Sequence, residues 1–105
     1  MEIIFAKNYL KELYMEGKSS DKKHRYQKDI IKRYRKTIDR MAFEKRTEDL
    51  MLINSLRYEK LIGLKSGISS VRVSDKYRIE FEERTVKGTD SLTICNIIEL
   101  SNHYK

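Results

Sequence analysis

The chain has 105 residues, a length that suits one modest hydrophobic core, and we expect residues 1–105 to form a single domain. Hydrophobic residues make up 39% and charged residues 37%, which argues against a disordered chain, and no apolar stretch approaches the roughly 20 residues of a membrane span. The formal net charge of +7 favours a polyanionic partner, although charge alone does not separate RNA from DNA or from an acidic protein.

Several features predict a cytosolic protein without a cofactor. Residues 1–7 have an acid at position 2 and too short an apolar run for a signal peptide. Cys95 is the single cysteine, which excludes an internal disulfide and fits a reducing compartment. Its apolar neighbours place Cys95 in the predicted core. The sequence has no Cys/His metal spacing, no Walker-type glycine loop and no nucleophile elbow, so no motif points to a metal or a cofactor.

The first half of the chain predicts one strand followed by helices. Residues 2–6 are expected to form a short strand, and Asn8 is expected to cap a helix that ends at Gly17. Apolar side chains at three- and four-residue steps predict a longer helix over residues 24–43, with its tyrosines in the core and at its rim. Thr47 is expected to cap a short third helix. The opposite face of the long helix is either a phosphate-contacting surface or ordinary solvated surface; its cations are Lys28, Lys32, Arg33, Arg35, Lys36 and Arg40.

The second half predicts strands. Residues 58–67 form a glycine-bounded connector, and after it the apolar period changes to two, which predicts strands over residues 68–83 and 91–100. A turn is expected at residues 87–90. This order indicates an α+β fold in which the N-terminal strand and two helices pack on a small antiparallel sheet.

The first predicted hairpin is informative because only one register sorts its side chains by polarity. A three-residue loop at residues 74–76 pairs Val73 with Tyr77 and Val71 with Ile79, which gives one apolar face. A two-residue loop would mix the two faces. The favoured register also places Arg72 directly opposite Arg78.

Two like charges that face each other across strands are unfavourable unless an anion lies between them. The Arg72–Arg78 pair therefore indicates either a polyanion site or a structural ion-pair network. Glu80 lies on the same strand and face as Arg78 and is a possible internal counter-ion. Arginine suits phosphate because its planar guanidinium donates two parallel hydrogen bonds.

The C-terminal segment carries a histidine and a tyrosine just after a predicted buried strand. His103 and Tyr104 should therefore have an anchored backbone near the sheet edge. A histidine can transfer protons near neutral pH, but a lone histidine near a terminus is more often a solvated residue.

Three segments together resemble the HigB branch of the RelE/ParE toxin superfamily: Leu61–Gly67 (LIGLKSG), Ser70–Phe81 (SVRVSDKYRIEF) and Ile98–Tyr104 (IELSNHY). That family typically has a Leu-Lys-Gly turn, a Ser-Val-Arg-Val-Asn-Asp-x-Tyr-Arg-Ile-x-Phe hairpin and a terminal Tyr-His or His-Tyr pair. The resemblance covers the helices only by the order of elements, and it implies a RelE-like fold.

The resemblance implies the toxin of a type II toxin–antitoxin system. Such toxins are mostly metal-independent endoribonucleases that cut mRNA in the ribosomal A site, in the bacterial cytoplasm. A general base helps the ribose 2′-hydroxyl attack the adjacent phosphate, and cations stabilise the charge that develops. The implied partners are mRNA, the ribosome and a HigA-like helix-turn-helix antitoxin; no membrane is involved.

The family's site residues are carried over by position. Arg72 and Arg78 match its phosphate-binding arginines, and His103 matches a histidine implicated in proton transfer. Asn102 stands where many members have tyrosine, with Tyr104 following, which leaves open which ring reaches the RNA. Ile62 stands where lysine is frequent, so another lysine would have to substitute; the candidate RNA-binding lysines are Lys60, Lys65 and Lys76, and each could equally be ordinary surface charge.

Two other functions fit the same resemblance. A ParE-like toxin would inhibit DNA gyrase through a protein interface without cutting RNA. A degenerate member would bind RNA or its antitoxin without catalysis.

Overall fold

The computed structural model describes residues 1–88 and 92–102 and shows a five-stranded sheet with three helices. The strands are β1 (Glu2–Phe5), β2 (Glu59–Lys60), β3 (Ser69–Arg72), β4 (Arg78–Val86) and β5 (Leu92–Ser101). The helices are α1 (Asn8–Glu16), α2 (Lys28–Phe43) and α3 (Thr47–Met51). The α+β prediction is confirmed. Within the described ranges, no helix is long and apolar enough to cross a membrane.

The strand order is β1-β5-β4-β3-β2. Strands β3 to β5 pair antiparallel, as predicted. The unpredicted β2 adds antiparallel to β3 at one edge, and β1 adds parallel to β5 at the other. The predicted connector over residues 58–67 contains β2 and a 3₁₀ turn at Gly63–Lys65. A two-residue strand has no period of its own, so only its pairing with β3 defines it. The predicted turn at residues 87–90 lies partly outside the described residues.

The predicted helix starts were inaccurate. Helix α2 begins at Lys28 rather than at residue 24, because Gln27 is extended and the Tyr26 hydroxyl donates to the Leu100 carbonyl at 3.0 Å. Asn8 and Thr47 are the first residues of their helices rather than caps. The third helix ends at Met51 and is followed by a 3₁₀ turn at Asn54–Leu56.

The hydrophobic core lies between the helices and one face of the sheet. Tyr34 is fully buried there, and its hydroxyl donates to the Leu10 carbonyl at 2.8 Å. Cys95 is also fully buried, which confirms its predicted place in the core, and burial raises the pKa of its thiol to about 12. The core side chains from the sheet are Val71, Ile79, Phe81, Cys95, Ile97 and Leu100.

The β3–β4 hairpin has the predicted register. Val71 pairs with Ile79, Arg72 pairs with Arg78, and the Val73 amide donates to the Tyr77 carbonyl at 2.9 Å. The three-residue turn over residues 74–76 is therefore confirmed. The two arginines lie on the face of the sheet opposite the core.

A bulge in the β4–β5 pairing was not predicted. Glu80 pairs with Glu99, but the next residue, Phe81, pairs with Ile97, so Ile98 is the extra residue. The bulge shifts the alternation of β5, so that Leu100 and Ile97 both reach the core while Glu99 joins the opposite face.

Candidate functional site

We use the term arginine face for the surface of the sheet that lies opposite the core at the β3–β4 hairpin. Strand pairing brings Ser70 and Arg72 of β3 and Arg78 and Glu80 of β4 onto this face. Glu59 of β2 pairs with Ser70, and Glu99 and Ser101 of β5 pair with Glu80 and Arg78. Residues from four strands thus meet on one rigid support.

Arg78 is held in a hydrogen-bonded socket. Its Nε donates to the Ser70 hydroxyl at 2.9 Å, and one terminal nitrogen donates to the carbonyls of Arg57 and of Ser70. Arg78 is only 8% exposed, and Ser70 is fully buried. Because these hydrogen bonds fix its donors, the guanidinium cannot rotate freely, and its charge keeps one position on the arginine face.

The carbonyl that receives Arg78 comes from a residue in an unusual conformation. Arg57 has φ 44° and ψ 54°, and within the described residues it is the one non-glycine residue with positive φ. A side chain in the left-handed region costs roughly 1–2 kcal/mol. Here that conformation ends the 3₁₀ turn and points the Arg57 carbonyl at Arg78. The backbone strain is thus coupled to the placement of the guanidinium.

Arg72 is the more accessible of the two arginines. Its side chain is 32% exposed, and its guanidinium contacts the Asp75 carboxylate in the hairpin turn. Asp75 is itself 92% exposed, so solvent screens this ion pair. An incoming phosphate could replace the Asp75 carboxylate at little cost.

A second cation reaches the arginine face from the loop before β3. The Lys65 ammonium donates to both carboxylate oxygens of Glu80, at 2.8 and 3.0 Å. Glu80 is 1% exposed and forms an ion pair with Lys65, so it is a buried counter-ion of this loop lysine. Its predicted role as a counter-ion of the arginine pair stays a prediction. The contact also fastens the Gly63–Lys65 turn over this end of the sheet.

The other predicted RNA-binding lysines differ in position. Lys60 is exposed, and its pairing with Ser69 assigns it to the core side of the sheet rather than to the arginine face. Lys76 is exposed in the hairpin turn next to Asp75. Their RNA-binding roles, like those of Arg72, Arg78 and Lys65, stay predictions. His103 and Tyr104 lie outside the described residues.

Glu59 is a candidate that the sequence reasoning missed. It is exposed and pairs with Ser70, whose hydroxyl accepts the Arg78 hydrogen bond. A solvent-accessible carboxylate therefore lies on the arginine face beside the fixed guanidinium. The signal was hidden because residues 58–67 read as a connector; the alternation of Tyr58, Glu59 and Lys60 becomes meaningful only once β2 pairs with β3.

Tyr58 fixes the approach to β2. Its hydroxyl lies 2.9 Å from a Glu83 carboxylate oxygen and 3.1 Å from the Ser69 hydroxyl. Burial, with the Glu83 hydrogen bond, raises the pKa of Tyr58 to about 12. Tyr58 therefore stays a neutral phenol and a donor to Glu83 at physiological pH.

The chemistry available on this face is that of an anion site with an adjacent carboxylate. Over residues 1–88 and 92–102, no group of three or more His, Cys, Asp or Glu side chains could hold a metal ion. Guanidinium groups stabilise negative charge without changing their own protonation. A carboxylate at the same face can accept a proton.

The fold is that of the RelE/YoeB type of toxin. A solved structure described as a YoeB/ParE toxin from Agrobacterium tumefaciens superposes on this chain with a TM-score of 0.59. The superposition covers 99% of this chain and 100% of the toxin, at 13% sequence identity. No protein-family model and no curated protein matches the sequence. The structural likeness shows the fold.

Proposed function

We propose that this chain, as a single domain over residues 1–105, is the toxin of a type II toxin–antitoxin system. In this proposal it is a metal-independent endoribonuclease that cuts mRNA at the ribosomal A site in the bacterial cytoplasm. A HigA-like helix-turn-helix antitoxin holds it inactive.

The observation that carries the proposal is the pairing of Arg72 with Arg78 on a rigid hairpin. Arg78 has fixed donors. Arg72 is more accessible, and among the described residues its ion-pair partner is the exposed Asp75. A ribose–phosphate backbone that settles beside Arg72 would meet a preorganised field, which is the largest single source of catalysis in many enzymes.

The proposed reaction is an intramolecular displacement at phosphorus. A base removes the proton of the ribose 2′-hydroxyl, and the 2′-oxygen bonds to the adjacent phosphorus while the bond to the 5′-oxygen breaks. The departing 5′-oxygen takes up a proton. The products are a 2′,3′-cyclic phosphate and a 5′-hydroxyl, so no metal, oxidant or further substrate is needed.

Three residues are candidates for the base. Glu59 lies on the arginine face, and His103 and Tyr104 follow β5, whose residue Ser101 pairs with Arg78. Proton transfer by one positioned group supplies about 10²–10⁴ in rate. Separate substitutions at Glu59 and His103 would therefore rank them by the activity that remains.

Sequencing of RNA 5′ ends after brief induction tests the function. We expect cuts within translated messages that share one position relative to the reading frame and carry 5′-hydroxyl ends. A matched culture that expresses Arg72→Ala should show none.

The competing function is ParE-like inhibition of DNA gyrase. It predicts intact mRNA together with DNA damage signalling, and this result would overturn the nuclease proposal. Ribosome binding without any cut would support the third possibility, a catalytically degenerate member.

A further inference from the structure

The net positive charge of the chain is concentrated in one segment. Residues 17–43 contain ten Lys or Arg and three Asp, an excess of seven that equals the formal net charge of +7. The remaining residues contain 13 cations and 13 acids and are neutral as a set. The arginine face belongs to this neutral part, because acids such as Glu59, Glu80 and Glu99 accompany its arginines.

The charged segment forms an open groove on the helices, which we call the cationic groove. It has a volume of about 500 Å³, and its lining includes Lys28, Lys32, Arg35 and Lys36 of α2 together with Tyr14 and Met15 of α1. One acid, Asp39 of α2, also lines it and accepts a hydrogen bond from the Tyr14 hydroxyl. Both helices pack on the core face of the sheet, so the groove and the arginine face are on different sides of the molecule.

The lysines of the groove form one inclined row on α2. Lys28, Lys32 and Lys36 follow each other at four-residue steps, which places them about 6 Å apart along the helix axis. This step is comparable to the separation of neighbouring phosphates in a nucleic-acid strand. Among the described residues, none of the three lysines takes part in an ion pair, and all are exposed.

Arg35 gives the groove a fixed end. Its Nε donates to the Tyr14 carbonyl at 2.9 Å, and Gly17 at the end of α1 allows the close approach. A Cβ at Gly17 would lie 3.0 Å from an Arg35 terminal nitrogen, and the φ of +73° already disfavours any side chain there. The guanidinium is therefore held where α1 and α2 meet.

We propose that the cationic groove is a second RNA-binding surface, which holds two or three consecutive phosphates of an RNA strand without reading its sequence. An acidic protein segment is less well matched, because a row of regularly spaced, unpaired lysines fits a regularly spaced polyanion. The groove captures RNA by long-range attraction, whereas the arginine face acts on the scissile phosphate. This inference does not depend on cleavage.

The test uses a noncleavable probe, so that binding is separated from catalysis. Binding of a fluorescent 2′-O-methyl RNA 20-mer is measured by anisotropy between 50 and 200 mM KCl. The variant is Lys28→Ala/Lys32→Ala/Lys36→Ala, and the matched control is Lys7→Ala/Lys45→Ala/Lys87→Ala, which removes the same charge from exposed positions elsewhere. Arg72→Ala provides the comparison for the arginine face.

The groove variant should reduce the log–log salt slope by about 2, because each single-strand phosphate contact contributes about 0.7. Over this fourfold change in salt, the wild-type affinity should fall about 16-fold more than that of the groove variant. The control triple should change the slope by less than half as much. Arg72→Ala should change the slope by no more than the roughly 0.7 that one phosphate contact contributes. Equal effects of the two triple variants would overturn the proposal.

A second arm addresses the alternative occupant. Poly-glutamate of equal charge should compete for the groove at least tenfold less well than the RNA; equal or better competition would replace RNA with an acidic protein segment. A groove variant that binds RNA weakly yet still cuts a short RNA would support the inference. If the wild type never cuts RNA but the groove variant alone loses binding, the proposed nuclease function fails and this inference stands.

Discussion

Arg78 on the sheet and Lys32 on α2 are both cations, but their surroundings differ. Arg78 is 8% exposed and donates to Ser70 and Arg57, whereas Lys32 is exposed in a row of unpaired lysines among the described residues. A fixed charge needs no reorganisation when a transition state forms, and a mobile solvated charge attracts a polyanion from a distance. The two proposals accordingly assign RNA capture and RNA chemistry to different surfaces of one small chain.

The largest expected effect comes from the buried member of the arginine pair. Arg78→Ala should abolish growth arrest and also lower the free energy of unfolding by about 1–3 kcal/mol, because it leaves the Ser70 hydroxyl and the Arg57 carbonyl without this donor. Urea denaturation and induced expression of the chain in culture measure the two effects. An Arg78→Ala protein with the unfolding free energy of the wild type would contradict the stabilising role of these hydrogen bonds. Both arginines would then be ordinary surface residues.

The next prediction compares Lys65 with Lys60, which the sequence left as equal candidates. Lys65→Ala should lower the free energy of unfolding by about 1–3 kcal/mol, since it removes a bidentate partner of the buried Glu80. Lys60→Ala, in the exposed edge strand, is the matched control and should change it by less than about 0.5 kcal/mol. Equal losses in urea denaturation would show that Lys65 is not fastened to the sheet.

A smaller effect concerns pH and the core beneath the arginine face. Burial raises the pKa of both Cys95 and Tyr58 to about 12. The unfolded chain releases these protons at lower pH, so stability is fully retained below about pH 8.5 and falls as the pH rises toward 12. The loss should approach about 1.4 kcal/mol per pH unit for each group that is ionised only in the unfolded chain.

Urea denaturation at several pH values between 8 and 11 measures this loss of unfolding free energy. In the Cys95→Ala variant, the unfolding free energy should fall less steeply as the pH rises. The native Cys95 thiol should also resist iodoacetamide at pH 8 until urea unfolds the chain. Rapid alkylation of the native protein would mean that Cys95 is accessible.

The hairpin could be predicted from the sequence because polarity alone selects its register. Val71, Val73, Tyr77 and Ile79 fall on one face only with a three-residue turn, and the structure has that turn. Strand β2 and the bulge at Glu80 could not be predicted in this way, because both depend on pairing between distant segments.

The arginine face was predicted in part. The Arg72–Arg78 pairing follows from the register, but the partner of Glu80 comes from Lys65, in a loop 15 residues away. Glu59 and the Arg57 carbonyl were missed for the same reason: their roles arise only when the segment before β3 folds back over β4. The excess charge of residues 17–43 was visible in the sequence, but its separation from the arginine face required the fold.

The most direct test of the central claim is RNA cleavage by Arg72→Ala compared with Arg84→Ala. Both residues are on the sheet outside the core, but Arg84 is an exposed residue beyond the bulge in the β4–β5 pairing and pairs with Ile94. On programmed ribosomes, Arg72→Ala should cut mRNA at least about 100-fold more slowly while keeping its unfolding free energy, as expected when one stabilising donor group is removed. Arg84→Ala should cut at the wild-type rate. Undiminished cleavage by a folded Arg72→Ala protein would contradict the account.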